Sequence, residues 1–428
     1  MSSRPLRIAL LAYRGNMRSG GQGIYLWFLA RELARLGHAV HVLAGPPHPD
    51  PMPFAASLTC IPNEGFWARR FDPNPAAILP QPNPLRIFEP LNFWEYGATW
   101  FGFLPEPFAF SVRAVRTLLS RVRAGERFDL VHDVQSLGWA TLLLKAIGLP
   151  VVTTIHHPLS VDRRASFARD RSFREALGTM ELYPVGMQAF VARQLDRVLT
   201  SSAQSGREIV RDFRVRPERL RMVWNGLDTD LFRPLAGVSR SSAELLCVAR
   251  AADPNKGVPV LLEALARLPA HVTLTLVDEA SAENPARERA RALGVEGRVH
   301  ITGRVETHEL LQLYARASLV VVPSLYEGFG LPAAEAMACG APVVATAAGA
   351  LPEVMRVGAG GVLVPPGDPA ALAEGILGLL ASPETRIALG ARARARIIET
   401  FSWPRVAQAT LAVYVELLDE RRRRAANA

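Results

Sequence analysis

The sequence predicts an α/β fold built as two domains. Its 428 residues are more than a single hydrophobic core of ordinary size requires. Short apolar, β-branched runs alternate with longer segments that repeat apolar residues at helical spacing. After residues 7–13, and again after residues 319–322, such a run leads through a glycine-rich turn into a helix. Strands that alternate with helices in this way are typical of parallel sheets.

The composition is that of a globular protein, with 49% hydrophobic and 21% charged residues. No apolar stretch resembles a signal peptide or reaches the length of a membrane-spanning helix, so we expect a cytoplasmic protein. The cysteines Cys60, Cys247 and Cys339 are far apart in apolar segments. We expect buried free thiols there, and neither a disulfide nor a metal site.

The net charge of +9 suits nucleic acid, an anionic membrane or anionic substrates. No nucleic-acid-binding module is present, so we expect no nucleic-acid partner. Nearly all basic residues are arginines, and lysine occurs only at Lys145 and Lys256. A lysine at a motif position therefore indicates that the compact ammonium group itself is needed.

The first predicted strand, residues 7–13, leads into a glycine loop that contains Gly21 and Gly23. A helix follows over residues 26–36 and a second strand over residues 39–44. A strand, glycine loop and helix in this order form an anion-binding turn. The spacing is not G-x-G-x-x-G, which argues against a nicotinamide dinucleotide site.

Residues 46–127 read as an irregular insertion rich in proline and aromatic residues, with a short strand at 58–61 and a helix over 108–123. Long irregular stretches inside a compact domain usually have a function. Two interpretations stay open. The aromatic side chains either pack on the core, or they contact a ligand or a membrane surface.

Histidines lie at the ends of the next predicted strands. His132 lies in the strand 129–134, and His156 and His157 follow the strand 150–155. Catalytic groups in open α/β folds gather at the carboxyl ends of strands, which makes His156 a candidate. For His132 we favour structural hydrogen bonding.

Two further predictions concern a helix and a basic segment near these strands. We predict a helix over residues 136–147. The basic residues of 162–164 and 169–174 form either a solvated face or a contact surface.

The most informative stretch is SLYEGFGLPAAEAMACG, residues 324–340, which follows the buried strand 319–322. Its glycines permit a tight turn, and Pro332 suits the first turn of a helix. The start of such a helix attracts phosphate. Glu327 and Glu335, eight residues apart, flank this anion site. The plainer alternative is a solvated loop charge at Glu327 and a helix-start preference at Glu335.

The string Glu-Gly-Phe-Gly-Leu-Pro, with a second glutamate eight residues after the first, resembles the signature of family-four retaining glycosyltransferases. The resemblance implies the GT-B fold, in which two Rossmann-like domains with parallel sheets face a central cleft. It implies that Glu327 is catalytic beside the donor sugar and that Glu335 holds the nucleotide ribose. The amides of Phe329, Gly330 and Leu331 would bind the donor sugar and its diphosphate.

Other positions match the family one by one. Arg250 and Lys256 match the basic pair that clamps the donor diphosphate, although Ala249 stands where the family usually has glycine. Val305 is a candidate nucleobase contact, and His156 matches a histidine that lies next to the acceptor. Gly21 and Gly23 match the N-terminal glycine loop near the donor phosphates.

The segment 225–234 also resembles the family, and within it Asp228-Thr229-Asp230 spells the Asp-x-Asp of metal-dependent glycosyltransferases. The surrounding pattern explains the tripeptide. We therefore expect no metal and no cofactor.

The resemblance implies an acceptor-side domain over residues 1–234, a hinge linker over 235–243 and a nucleotide-sugar-binding domain over 244–402. A C-terminal helix within 403–428 would cross back to the N-terminal domain.

The expected activity is retaining transfer of a hexose-type sugar from a nucleotide-diphosphate sugar to a hydroxyl acceptor, by metal-independent front-face displacement. UDP and GDP both remain open as the donor nucleotide. The basic balance and the aromatic insertion favour a lipid-linked or anionic acceptor and peripheral contact with an anionic membrane. The alternatives are a non-catalytic scaffold of the same fold and a nucleotide-sugar epimerase. A pyridoxal-phosphate phosphorylase is a poor match, because only two lysines are present.

Overall fold

The computed structural model describes residues 4–17, 21–167 and 184–427. The chain divides into two compact units, one of residues 1–201, 205–223 and 406–428, the other of residues 202–204 and 224–405. Each unit contains its own parallel β-sheet, which confirms the predicted α/β fold of two Rossmann-like domains. The basic residues of 169–174 lie outside the described residues.

The described part of the chain up to residue 223 contains a seven-stranded sheet in the order β3-β2-β1-β4-β5-β6-β7. All of its strand pairs are parallel. The helices and strands are β1 Arg7–Ala12, α1 Gly21–Arg35, β2 Ala39–Ala44, β3 Ser57–Cys60, α2 Phe66–Arg69, α3 Pro90–Trp100, α4 Glu106–Arg123, β4 Leu130–Val134, α5 Thr141–Ala146, β5 Val151–Ile155, α6 Leu159–Phe167, α7 Val185–Gln194, β6 Arg197–Thr200, α8 Ala203–Glu208 and β7 Leu220–Met222.

The second unit is built on a six-stranded parallel sheet in the order β10-β9-β8-β11-β12-β13. Its elements, followed by the last helix of the chain, are β8 Glu244–Val248, α9 Val258–Arg267, β9 Thr273–Val277, α10 Pro285–Ala292, β10 Val299–Ile301, α11 Thr307–Arg316, β11 Leu319–Val322, α12 Leu331–Ala338, β12 Val343–Thr346, α13 Leu351–Gly358, β13 Gly361–Val364, α14 Pro369–Leu380, α15 Pro383–Phe401 and α16 Trp403–Ala426.

The central strands form because helices cover both faces of each sheet. In β11, Leu319 and Val321 pack into the core on one face, whereas Val320 and Val322 pack into the core on the other. Side chains of a strand alternate between faces, so a strand buried on both sides reads as a continuous apolar run. The carboxyl ends of all strands in a parallel sheet meet at one edge, and the loops described below begin there.

The boundary between the units lies between residues 223 and 224, before the predicted linker 235–243. That linker belongs to the second unit, because Arg240 donates hydrogen bonds to the carbonyl oxygens of Tyr314, Ala317 and Cys339 at 2.9–3.0 Å. Helix α16 begins in the second unit and continues in the first.

Three expectations need correction. Helix α5 begins at Thr141, because residues 135–140 form a loop in which Gln135 and Leu137 have positive φ. The stretch 46–127 contains α2 and α3 besides the predicted helix, which is α4, so it is less irregular than predicted. Cys60 is exposed, since it ends an edge strand, whereas the other two cysteines are buried. No helix in the described ranges is both long and apolar enough to cross a bilayer.

Candidate active site

Glu327 is a buried carboxylate held between two side chains of the second unit. It lies in the loop between β11 and α12 and is 8% exposed. Its Oε1 atom lies 2.7 Å from Nζ of Lys256 and accepts a hydrogen bond of 3.0 Å from Oγ of Ser324. A buried carboxylate is costly unless it is paired, and the ammonium group supplies that pair. The alternative that Glu327 is a solvated loop charge is therefore wrong.

The loops after β8 and β11 are fixed against each other through their backbones. The carbonyl oxygen of Asn255 accepts a hydrogen bond of 2.7 Å from the amide of Leu325. Gly257 has a φ of +63°, and a Cβ atom there would lie 2.0 Å from the carbonyl oxygen of Pro323. Only glycine allows so close an approach. This packing brings the lysine and the glutamate to ion-pair distance although they are 71 residues apart.

A third loop, between β12 and α13, closes on the same place. The carbonyl oxygen of Glu327 accepts a hydrogen bond of 2.9 Å from the amide of Ala350. Gly349 has a φ of +56°, and a Cβ atom there would lie 2.1 Å from that same oxygen. The backbone of Glu327 is therefore held by this third loop, while its side chain is held by Lys256 and Ser324.

Helix α12 begins with amide groups that remain available to a ligand. The N–H groups of Phe329, Gly330 and Leu331 donate to no acceptor within the described ranges. Gly330 caps the helix with a φ of +96°. The Phe329 ring is buried 5.4 Å from the ring of Phe401, which anchors the loop in the core. Unpaired amides and the helix dipole together favour an anion at this end of α12.

Arg250 lies on the loop after β8, in the same loop as Lys256. Its side chain is exposed and makes no ion pair with any residue that the structure describes. The neighbouring amide of Ala251 donates to Oδ2 of Asp278 at 2.8 Å, and that oxygen also accepts from Nδ2 of Asn284 at 2.8 Å. Asp278 therefore fixes the backbone beside an arginine whose guanidinium group can meet a ligand.

Glu335 lies in the second turn of α12. Its Oε2 atom accepts a hydrogen bond of 2.8 Å from the hydroxyl of Tyr314. Burial raises the pKa of the Glu335 carboxyl to about 7, and the tyrosine hydrogen bond opposes this rise only in part. Near neutral pH the group therefore exchanges between a form that only accepts hydrogen bonds and a form that also donates.

His156 follows β5 of the first unit and is positioned by Gln135. The side-chain oxygen of Gln135 accepts from the amide of His156, and its nitrogen donates to the carbonyl of His157, both at 2.9 Å. The ring of Tyr25 packs edge-on against the His156 ring, with centroids 4.8 Å apart. Backbone and ring of this histidine are both fixed at the carboxyl edge of the sheet.

His132 is fully buried and has the structural role that we expected. Its Nδ1 atom is hydrogen-bonded to the hydroxyl of Tyr414 in α16, and its Nε2 atom lies 2.7 Å from Oγ1 of Thr154. The same threonine hydroxyl lies 3.1 Å from the Tyr25 hydroxyl. Burial lowers the pKa of His132 to about 3, with a smaller contribution from His156. The imidazole is therefore neutral, and it joins α16 to the sheet of the first unit.

The remaining predicted residues have simpler surroundings. Gly21 is the first residue of α1, and Gly23 approaches the preceding loop so closely that a Cβ atom would lie 2.0 Å from the carbonyl oxygen of Asn16. Val305 is partly buried and packs against the core beside α12. Oδ1 of Asp228 accepts hydrogen bonds of 3.1 Å from two following amides, so this residue closes a turn.

The structure brings Lys256, Glu327 and the α12 amides together, with Arg250 on the same loop as the lysine. In the ranges that it describes, no three histidine, cysteine or acidic side chains gather as a metal site. The arrangement offers two cations and several amides to an anion, beside a carboxylate. Such a set can bind a diphosphate and stabilise the charge that develops on it.

Comparison with known proteins identifies the family. The model described as Glycosyl transferases group 1 matches residues 236–396, and Glycosyltransferase Family 4 matches residues 19–231. An MMP alpha-(1->4)-mannosyltransferase of Mycolicibacterium hassiacum is 42% identical over 414 residues, which cover 96% of this chain and 98% of that protein. The chain belongs to glycosyltransferase family four. The resemblance drawn from the sequence is thereby confirmed.

Further relatives agree with this assignment. A D-inositol 3-phosphate glycosyltransferase of Xylanimonas cellulosilytica is 29% identical, over 98% of this chain and 99% of that protein. The solved sucrose-phosphate synthase of Thermosynechococcus elongatus has a TM-score of 0.70 at 24% identity, and covers 97% of this chain and 100% of that one. HepE of Anabaena, solved in complex with UDP, has a TM-score of 0.67 at 21% identity, with 96% and 100% coverage. The solved structures establish a GT-B fold.

Sequence reasoning missed the residues that hold the predicted site residues of this glycosyltransferase in place. Asp278 and Tyr314 hold predicted residues of the second unit in place, and Gln135 holds the predicted histidine of the first. Two of the three follow a strand directly, at the carboxyl edge of its sheet. That position is the signal that could have found them.

Proposed function

We propose that this glycosyltransferase moves a hexose from a nucleotide-diphosphate sugar to a hydroxyl acceptor and retains the anomeric configuration. The observation that carries the proposal is the ion pair of Lys256 and Glu327 beside the unpaired amides at the start of α12. One place thus offers donors for a diphosphate and a carboxylate for the sugar attached to it. The family resemblance supports retention.

The donor diphosphate binds at α12, with Arg250 and Lys256 as its cations. When the bond from the sugar to the diphosphate breaks, negative charge grows on the leaving oxygen. Fixed cations and a helix N-terminus stabilise that charge without rearranging during the reaction. Glu335 accepts hydrogen bonds from the ribose hydroxyls, and Val305 contacts the base. The same cations make the reaction independent of a metal ion.

Glu327 positions the sugar and stabilises the positive charge that develops on it. The acceptor hydroxyl attacks from the face that the diphosphate leaves, which is front-face displacement. His156 orients the sugar or the acceptor, and Gly21 and Gly23 contribute backbone near the phosphates. Since Oε1 of Glu327 is engaged by Lys256 and Ser324, we favour this role over that of a covalent nucleophile.

Mannose is the first candidate for the transferred sugar, because the relative that is 42% identical over nearly its whole length is named a mannosyltransferase. The acceptor is a hydroxyl of a sugar, free or in a glycolipid of the cell envelope. A lipid-linked acceptor with peripheral membrane contact is favoured by exposed aromatic side chains such as Phe71, Phe88 and Phe101.

The test is to incubate the enzyme with UDP- and GDP-sugars and with mannose-containing acceptors, and to read the product by NMR. We expect one donor to give a product whose anomeric configuration matches the donor's, at a rate that a chelator does not change. A product of inverted configuration would contradict the retaining assignment. Conversion of the nucleotide sugar without an acceptor would indicate an epimerase, and binding without turnover would indicate a scaffold.

A further inference from the structure

Helix α3 buries polar side chains and exposes aromatic ones. Asn92, Glu95 and Thr99 are 2%, 1% and 5% exposed, whereas Trp94 and Trp100 are 44% and 69% exposed. An ordinary surface helix has the reverse arrangement, with its apolar face towards the core. Large exposed apolar patches on a folded domain commonly mark interaction sites.

An arginine of α4 holds α3 in this orientation. Nη2 of Arg113 donates to Oδ1 of Asn92 and to Oε2 of Glu95, both at 2.7 Å. A protein in which apolar side chains of similar size replace a buried ion pair is commonly as stable as the original or more stable. Core packing alone therefore does not account for the arrangement. Its structural consequence is that the aromatic face of α3 is directed outwards.

Three aromatic side chains form a continuous row on this surface. The ring centroids of Trp94 and Phe108 are 4.4 Å apart, and those of Phe108 and Trp139 are 6.0 Å apart. Both tryptophans are exposed, Trp139 to 54%. We refer to Trp94, Phe108 and Trp139 as the aromatic row. Edge-to-face contacts hold its rings in fixed orientations.

The aromatic row begins at the carboxyl edge of the first sheet. Trp139 lies in the loop after β4, and Gly138 beside it packs on α4 so closely that a Cβ atom would lie 2.2 Å from Oγ of Ser111. The first residue of α4, Glu106, pairs at 2.7 Å with Arg14, which follows β1. The same loop after β4 also carries the glutamine that holds the backbone at the end of β5.

The two arginines that contact α3 or the residue before it are paired within the unit. Arg113 is paired with Glu95. Arg86 lies 2.9 Å from a carboxylate oxygen of Glu64 and 3.1 Å from one of Glu89. Arg113 and Arg86 therefore offer little unbalanced positive charge to anionic lipid headgroups. Such a surface suits a neutral occupant.

We propose that the aromatic row binds a neutral oligosaccharide chain, the extended acceptor of the transfer reaction. The proposal rests on the function proposed above and assigns its acceptor class. The C–H faces of pyranose rings are apolar and carry slight positive charge, so they stack on the electron-rich faces of indole and phenyl rings. Because the row starts at the edge that carries His156, a chain stacked on it has its end at that edge.

The test is calorimetric titration of the full-length protein with a long α-(1→4)-linked manno-oligosaccharide and with methyl α-mannoside. Trp94→Ala and Trp139→Ala are compared with wild type, and Phe190→Ala on α7 is the control, since Phe190 is also an exposed aromatic residue. We expect each tryptophan variant to bind the long chain about tenfold more weakly. Trp94→Phe retains most of the affinity, and Phe190→Ala retains all of it.

A second readout separates this proposal from the proposed function. In transfer assays the tryptophan variants should raise KM for the long acceptor and leave KM for methyl α-mannoside unchanged. The thermal shift caused by the donor nucleotide diphosphate should equal that of wild type in every variant. If no nucleotide diphosphate raises the melting temperature of wild type, the donor site proposed in the second unit is contradicted. The oligosaccharide titration still tests the aromatic row in that case.

Three results would overturn the proposal. Equal oligosaccharide affinity in wild type and both tryptophan-to-alanine variants would remove the aromatic row as a binding surface. Pelleting with phosphatidylglycerol vesicles that Trp94→Ala abolishes, without any oligosaccharide binding, would assign the surface to a membrane. A dimer of wild type that Trp94→Ala converts to a monomer, again without oligosaccharide binding, would assign it to a second copy of the chain.

Discussion

The loops at the carboxyl edges of the two sheets differ in charge. In the second unit these loops carry the Lys256–Glu327 ion pair, Arg250 and the buried carboxylate of Asp278. In the first unit Gln135 contacts the backbone of His156 and the Tyr25 ring packs against its side, and the charges of Arg14 and Glu106 at this edge are paired with each other. The two sheets have the same parallel architecture, so the difference comes from the loops.

This difference fits the two halves of a sugar transfer. A nucleotide diphosphate is an anion whose charge rises as the sugar leaves, and it needs fixed cations and amides. An acceptor sugar is neutral and needs orientation more than charge. We call the carboxyl edge of the second sheet, with Lys256, Glu327 and Arg250, the charged edge, and that of the first sheet, with His156, the neutral edge. The charged edge therefore suits the donor and the neutral edge suits the acceptor.

The largest predicted effect is at the charged edge. Lys256→Ala removes a cation from the diphosphate and leaves the buried carboxylate of Glu327 without its pair. We expect transfer to fall by about 10²–10³-fold, by analogy with loss of one oxyanion donor. Steady-state kinetics measure this. Lys145→Ala is a matched control, because the other lysine of the chain belongs to the first unit and contacts Gln194 and Asp196 there. An equal loss in both variants would contradict the assignment.

The next effect tests the neutral edge. Gln135→Leu removes both hydrogen bonds to the His156–His157 backbone, and we expect kcat to fall roughly tenfold because the histidine is no longer held in place. Affinity for the donor should not change, since Gln135 is not in the donor site. Gln194→Leu, at the exposed end of α7, is the control. A change in donor affinity with unchanged kcat would show that Gln135 does not position the histidine for catalysis.

A pH effect separates Glu335 from the permanently charged groups. Because burial raises its pKa from 4.5 to about 7, the folded protein binds a proton more tightly than the unfolded chain does. Stability is therefore lost as pH rises from about 4.5 to about 7. Glu335→Gln lacks this loss and still accepts a hydrogen bond from Tyr314.

The measurement for Glu335 is the melting temperature of both proteins at pH 5 and pH 8. We expect the melting temperature of Glu335→Gln minus that of wild type to be higher at pH 8 than at pH 5. A difference that does not depend on pH would show that the carboxyl does not titrate in this range.

The smallest effect concerns the last helix. Tyr414→Phe removes the hydroxyl that is hydrogen-bonded to His132 and leaves the ring packing in place. We expect a loss of about 1 kcal/mol in the free energy of unfolding. Urea denaturation measures it, and donor affinity should stay the same. A large loss of donor affinity would contradict the separation of the two edges.

The sequence predicted much of the fold because strands buried on both faces read as apolar runs. It also singled out Glu327 and Lys256 through the family motif. It did not reveal that the two side chains form an ion pair, because that depends on where a loop after β8 meets a loop after β11. The contact from Tyr314 to Glu335 was also missed, because it depends on α11 and α12 meeting in the folded protein.

Local patterns failed where tertiary contacts override them. The loop 135–140 has helix-forming neighbours, but the carboxylate of Asp133 accepts a hydrogen bond from the amide of Leu137 and fixes a different backbone path. In α3 the buried face is polar, so the usual rule assigns the wrong side to the core. Its orientation depends on Arg113, which lies on another helix.

The most direct test of the donor site is a thermal-shift panel of UDP, GDP and their sugars on wild type, Lys256→Ala and Glu335→Ala. A ligand that binds only the folded protein raises its melting temperature. We predict that one nucleotide diphosphate stabilises wild type, and that both variants lose most of this shift. No shift with any nucleotide, or an equal shift in wild type and Lys256→Ala, would contradict the assignment of the charged edge to the donor.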